Sequence, residues 1–189
     1  MDALLGDGRL YELLQRCDED WAAEHRAGGC RLCGGVLHGA RYPRKPRGFA
    51  GLKPEYGWRL SFCCAREGCR KRATPPSLRF LGRRVYLGAV VVLVSALRCG
   101  LTPARLRYLE QRVGVSRRTV MRWRKWWSEQ LIATAFWRAA SSRLMPPVAP
   151  AALPASLLER FAGAARDRLV AALRFIAPIT TEGAAMHAM

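Results

Sequence analysis

Thr102-Pro-Ala-Arg-Leu-Arg-Tyr-Leu-Glu-Gln-Arg-Val113, then Gly114-Val115, then Ser116-Arg-Arg-Thr-Val-Met-Arg-Trp-Arg-Lys-Trp-Trp-Ser-Glu-Gln-Leu131, carries the strongest local folding signals in the chain. Thr102 can accept a hydrogen bond from a first-turn amide, and Pro103 suits the first helical position, where no N–H is needed. This predicts a helix running to Val113, with Leu106, Leu109 and Val113 inward. Gly114-Val115 makes a short turn, and Ser116 caps a further helix from Arg117 to about Leu131. A helix, a tight glycine-containing turn and a second helix form a helix-turn-helix. At 100° per residue, Val120, Trp123, Trp127 and Leu131 share one arc, whereas Arg117, Arg118, Met121, Arg122 and Lys125 lie opposite. An apolar inner face beneath a basic outer face is the pattern of a helix that enters the major groove. Arg117, Arg118, Met121 and Arg122 are placed for base edges, Arg124 and Lys125 for phosphates. Trp126 lies off the inner arc and faces the next helix or a partner.

Upstream, Arg84 to Leu97 reads as a support helix buried on most sides, ended by Gly100. Its uncharged stretch from Val85 to Leu97 is too short for a bilayer span, which needs about 18–20 residues. Further upstream lie two cysteine pairs, Cys30-Arg-Leu-Cys33-Gly-Gly and Cys64-Ala-Arg-Glu-Gly-Cys69. Two thiols on a tight turn, with glycines where positive φ or close backbone approach is needed, form a metal knuckle. Two knuckles joined by strand-like pieces such as Trp58 to Cys63 predict a zinc ribbon. Its single structural Zn2+ is held by Cys30, Cys33, Cys64 and Cys69, with no position open for catalysis. Alternation along the strand lets either Cys63 or Cys64 face the metal, and the shorter spacing favours Cys64. His38 reads as a loop or strand residue, and Cys17 and Cys99 as packing residues. An odd total of seven cysteines fits a reducing compartment and a metal better than a disulfide frame.

Between the knuckles run Arg41, Arg44, Lys45 and Arg47 among prolines, and after the second come Arg70, Lys71 and Arg72. These are two basic arms suited to phosphates or a narrow minor groove. The whole chain of 189 residues carries a formal charge of +18, and 28 of its basic residues are arginines. Residues 1–25 are acidic and residues 26–126 hold most of the positive charge. That imbalance points to a polyanion, nucleic acid ahead of membrane.

The expected fold class is mainly α with a small β zinc ribbon. An acidic N-terminal helical segment (1–25) has Leu4, Leu10, Leu14 and Trp21 on one face, with its main helix starting near Gly8. The ribbon with its arms (26–80) and the helix-turn-helix with an extended third helix (81–143) follow. A Pro-rich linker (144–155) then leads to an amphipathic helix (156–178), opened by a Ser156/Glu159 capping box and ended by Pro178, and to a tail (179–189). The apolar stripe of that last helix, from Leu158 to Ile176, calls for a surface: another copy of the chain, the acidic helix, a partner enzyme or the chain's own helical core. Asp18, Glu19 and Asp20 read as a solvated helix face or cap.

No catalytic constellation is legible. Histidines 25, 38 and 187 are scattered, there is no P-loop, and between residues 26 and 126 the only acids are Glu55, Glu67 and Glu110. Asp2 and Asp7 stand where a secretory signal has basic residues. The expectation is a non-enzymatic protein of the bacterial cytoplasm, associated with the nucleoid.

Cys30-x2-Cys33, the aromatic strand into Cys64-x4-Cys69, the basic run after it, and Gly114 to Trp123 together resemble the zinc-ribbon/helix-turn-helix proteins and domains of bacterial insertion sequences and related mobile elements. The resemblance covers about residues 28–131. It departs in the C-x4-C second knuckle and in having no catalytic domain after the helices. It implies a sequence-specific binder of double-stranded DNA that assists a separately encoded transposase or recombinase, alone or as a homo-oligomer. A zinc-dependent transcriptional regulator, a protein-interaction adaptor and an RNA binder are the alternatives.

Overall fold

A computed structural model describes residues 2–44, 46–48, 51–81, 86–96 and 102–181. It shows an N-terminal helix, a cysteine cluster among short strands, a three-helix region and a C-terminal helix. A short α1 (Asp2–Leu5) precedes α2 (Gly8–Ala27), which starts where Asp7 accepts a hydrogen bond from the Arg9 amide at 3.0 Å. The ribbon follows: β1 (Leu37–Gly39), β2 (Tyr42–Pro43), β3 (Trp58–Arg59), β4 (Phe62–Cys64) and β5 (Arg72–Ala73). Trp58 to Cys63 is thus divided between two strands, which join different antiparallel sheets, β1-β4-β5 and β2-β3.

The helical part comprises α3 (Gly88–Ser95), α4 (Pro103–Val113), α5 (Arg117–Lys125) continued by a π-helical turn (Trp126–Leu131), α6 (Ala135–Ser141), α7 (Ala155–Leu158) and α8 (Ala165–Ile176). The α3 helix, Gly-Ala-Val-Val-Val-Leu-Val-Ser, is buried along its whole length, as a helix apolar on every side must be. It begins at Gly88, not at Arg84, because Tyr86 and Leu87 are extended and bridge to Arg47 and Phe80. Arg84, Leu97, Cys99 and Gly100 lie outside the described residues. No helix among the described residues is long and apolar enough to cross a membrane.

The α3 helix packs against α5 and α8, and the same core takes in Leu10, Tyr11, Leu14 and Cys17 of α2, the inner arc of α5, and Leu169, Ala172, Leu173 and Ile176 of α8. A second, small core joins Ala22 of α2 to Cys30, Leu37, Phe62 and Cys64 of the ribbon. The α2 helix therefore enters both cores, and its His25 stacks on Phe62 at 6.1 Å.

The structure departs from expectation at Asp18 and in the C-terminal stripe, and adds packing around residues 150 and 180. First, Asp18 is not solvated. It is 1% exposed and accepts hydrogen bonds from Ser77 Oγ (2.5 Å), the Leu78 amide (2.6 Å) and Arg79 Nε (2.8 Å). Arg79, itself 2% exposed, donates onward to the carbonyls of Tyr56 and Trp58. This buried pair fastens α2 to the end of the ribbon. Second, the stripe over 156–178 is carried by two helices. Gly163, at φ +95°, turns the chain between α7 and α8, and Ser156 sits inside α7, donating to the Ala149 carbonyl instead of capping. Asp167 takes up the capping, accepting from the Ala164 amide at 3.2 Å. Third, the segment around 150 is packed, with Leu153 and Pro154 buried, and so is the start of the expected tail. Thr180 accepts a hydrogen bond from the Ser77 amide at 2.9 Å. Among the four surfaces considered for the C-terminal stripe, α8 uses the chain's own core, and Arg174 reaches Cys17 of α2 at 3.2 Å.

Candidate metal site and nucleic-acid interface

The ligand atoms of Cys30, Cys33, Cys64 and Cys69 all lie within 4.8 Å of one another. They are the one such group of four cysteines, histidines or carboxylates found among the described residues, and they can coordinate a metal ion. Register selects Cys64 over Cys63. Leu37 pairs with Cys64 and His38 with Cys63, and the pleat sends one pair inward and the other out. Cys64 is fully buried, whereas the Cys63 thiol donates to the Arg70 carbonyl and His38 is exposed.

The turns are built as the glycines require. Gly34 (φ +68°) and Gly68 (φ +79°) are left-handed, and a Cβ on Gly35 would sit 3.1 Å from Cys64 Sγ and 3.3 Å from Cys33 Sγ. The amides of Leu32 and Cys33 point at Cys30 and draw its thiol down to about 7. The Arg66 amide acts the same way on Cys64, but burial and the thiols of Cys33, Cys69 and Cys30 outweigh it and push Cys64 up to about 12. Four thiolates this close need a cation between them. The sulfur pairs Cys30–Cys69 and Cys33–Cys64 are 3.8 and 3.5 Å apart. A tetrahedron with metal–sulfur bonds of about 2.3 Å, as for zinc, has edges of about 3.8 Å, so the donor set and spacing fit.

The helix-turn-helix forms where expected. Thr102 and Ser116 cap α4 and α5 through their side chains, Pro103 opens α4, and Gly114 (φ +65°, ψ 33°) ends it in the left-handed conformation. Val120, Trp123, Trp127 and Leu131 are all buried, and Leu106 is half-buried where Leu109 and Val113 are buried. Arg117, Arg118, Met121, Arg122 and Lys125 are exposed together on the other side of α5, Met121 at 51%. Arg122 also donates to Thr119 Oγ1 at 3.3 Å, and Lys125 sits 3.7 Å from Glu129 across exposed surface. Trp126 is half-buried and meets Trp127 edge to face.

Arginines of the two basic arms lie against aromatic rings. Arg41 lies over Trp58, Arg44 over Phe80 and Arg72 over Tyr42, at 5.0, 5.8 and 5.5 Å. Stacking uses the guanidinium face and leaves its in-plane N–H groups for other partners. Arg70 (φ 43°), Lys71 and Arg72 are exposed, and Lys45 lies outside the described residues. Arg47 connects this surface to the helix-turn-helix. Its carbonyl accepts from the Leu87 amide at 3.0 Å, and its guanidinium reaches Tyr86 Oη at 3.5 Å. Tyr86 in turn donates to the Gly114 carbonyl at 2.6 Å and packs edge-on to Trp123 at 4.9 Å.

Sequence reasoning missed Tyr86, Arg59 and Arg79. The two arginines are buried and structural: Arg59, 3% exposed, donates to the Pro75 carbonyl at 2.6 Å. Their one sequence signal is position: each lies among apolar residues outside the dense basic runs. No family model, no curated protein and no solved structure matches this chain.

Proposed function

We propose that this chain is a non-catalytic, sequence-specific binder of double-stranded DNA that assists a separately encoded transposase or recombinase of a mobile element. The observation that carries the DNA reading is α5. Its Arg117, Arg118, Met121, Arg122 and Lys125 face stands clear while its apolar face is locked into the core. Arginine on such a face donates bidentate pairs to guanine in the major groove. Arg41, Arg44, Lys45, Arg47, Arg70, Lys71 and Arg72 of the two arms meet backbone phosphates. Cys30, Cys33, Cys64 and Cys69 hold one zinc ion, which supplies folding energy to a ribbon whose own core is small. The mobile-element role rests on the resemblance of residues 28–131.

Selection of bound duplexes from a random DNA library, with zinc-loaded protein at about 0.15 M salt, tests the reading. It predicts one enriched duplex motif that maps to element ends. A motif mapping to promoters would make the chain a regulator, and tight binding without enrichment would refute sequence-specific recognition.

A further inference from the structure

A cleft of about 560 Å³ opens between the first basic arm and the turn of the helix-turn-helix. That volume is in the range of small-molecule sites, about 300–1,000 Å³. Four cationic residues line it: Arg44 and Arg47 from the arm, Lys53 from the loop before Tyr56, and Arg112 from the last turn of α4. No carboxylate is among its described lining residues. Leu52, Val113 and prolines supply apolar wall. Tyr56, 3% exposed, closes the floor of the cleft, with its ring packed edge-on to Tyr11.

We propose that this cleft binds a nucleotide unit, its phosphates gripped by Arg44, Arg47, Lys53 and Arg112 and its apolar part laid against Leu52 and Val113. Positive charge concentrated in a recess of this size, with no carboxylate among its described lining residues, selects a compact anion. The mixed lining suits a ligand with both phosphate and a less polar body. The cleft reaches Gly114, whose carbonyl holds Tyr86 and through it Trp123 of α5. An occupant therefore touches the joint between arm and recognition helix. The nucleotide comes either from solution or from the backbone of a bound duplex. The site itself does not depend on the DNA reading, because ligand binding is measured without DNA.

The test is calorimetric titration of the full zinc-loaded chain with ADP, inorganic pyrophosphate and adenosine at about 0.15 M salt. Saturable binding of one ADP, weaker binding of pyrophosphate and none of adenosine are expected. Lys53→Gln/Arg112→Gln, changing two exposed residues, should weaken ADP by about tenfold or more. Arg138→Gln/Arg143→Gln removes the same charge from exposed positions elsewhere and should leave binding unchanged. Non-saturable uptake, or equal loss in both double variants, would overturn the proposal by reducing it to general attraction to a basic surface. Repeating the titration with duplex present separates the sources. Competition assigns the cleft to a backbone nucleotide, and simultaneous binding assigns it to a free one.

Discussion

Replacing Asp18 by alanine is the sharpest perturbation of the fold. The carboxylate is 1% exposed, pairs with an Arg79 that is 2% exposed, and accepts three hydrogen bonds between 2.5 and 2.8 Å. Its removal leaves a buried guanidinium without a counter-charge and the Leu78 amide without its acceptor. Breaking a buried pair from one side costs about 3–5 kcal/mol. That is a large share of the roughly 5–15 kcal/mol by which domains are stable. With a urea dependence of about 2 kcal/mol per molar, the midpoint should fall by about 1.5–2.5 M. Urea unfolding followed by circular dichroism and tryptophan fluorescence measures it. Asp20→Ala, two residues on and exposed, should stay within about 0.5 kcal/mol of the parent. The double variant Asp18→Leu/Arg79→Met should recover much of the loss, because it removes both charges. A midpoint shift for Asp18→Ala no larger than that for Asp20→Ala would show that the buried pair does not hold α2 to the ribbon.

The remaining predictions concern the site. Cys64→Ser should abolish stoichiometric zinc measured by mass spectrometry of the metal, whereas Cys63→Ser should keep it; the reverse would exchange their assignments. Metal uptake should release protons and weaken as pH falls, because a Cys64 thiol held near 12 must lose its proton to bind; a pH-independent affinity would contradict thiolate ligation. Gly114→Ala should destabilise by about 1 kcal/mol or more, since φ +65° strains any residue with a Cβ, and a raised melting temperature would argue against that turn. Arg122→Ala should relax base preference at one position of a selected site; uniform loss over all sequences would make it a phosphate contact.

Local rules made the helix-turn-helix readable. Thr102, Pro103, Gly114 and Ser116 each act on their own turn, and the spacing of Val120, Trp123, Trp127 and Leu131 follows the helical period. The ligand cysteines were legible for the same reason, since knuckle spacing is local. What the sequence did not disclose depends on distant partners. Asp18 looks like its exposed neighbours Glu19 and Asp20 until Arg79, 61 residues away, comes to it. Arg59 and Arg79 are indistinguishable by type from the arginines of the basic arms. The choice between Cys63 and Cys64 needed the register with Leu37 and His38. The C-terminal stripe keeps an almost unbroken helical period, and the left-handed Gly163 within it could as well have been a tolerated helix glycine.

Recognition of DNA requires the outer face of α5 to meet bases, and Met121 stands near the middle of that face. Met121→benzoylphenylalanine, irradiated on a duplex recovered by selection, tests it directly. Cross-links to bases within the selected motif are expected, and they should disappear on scrambled duplex. Cross-linking from an exposed position on another helix, such as Arg166 of α8, with none from position 121, would contradict that placement.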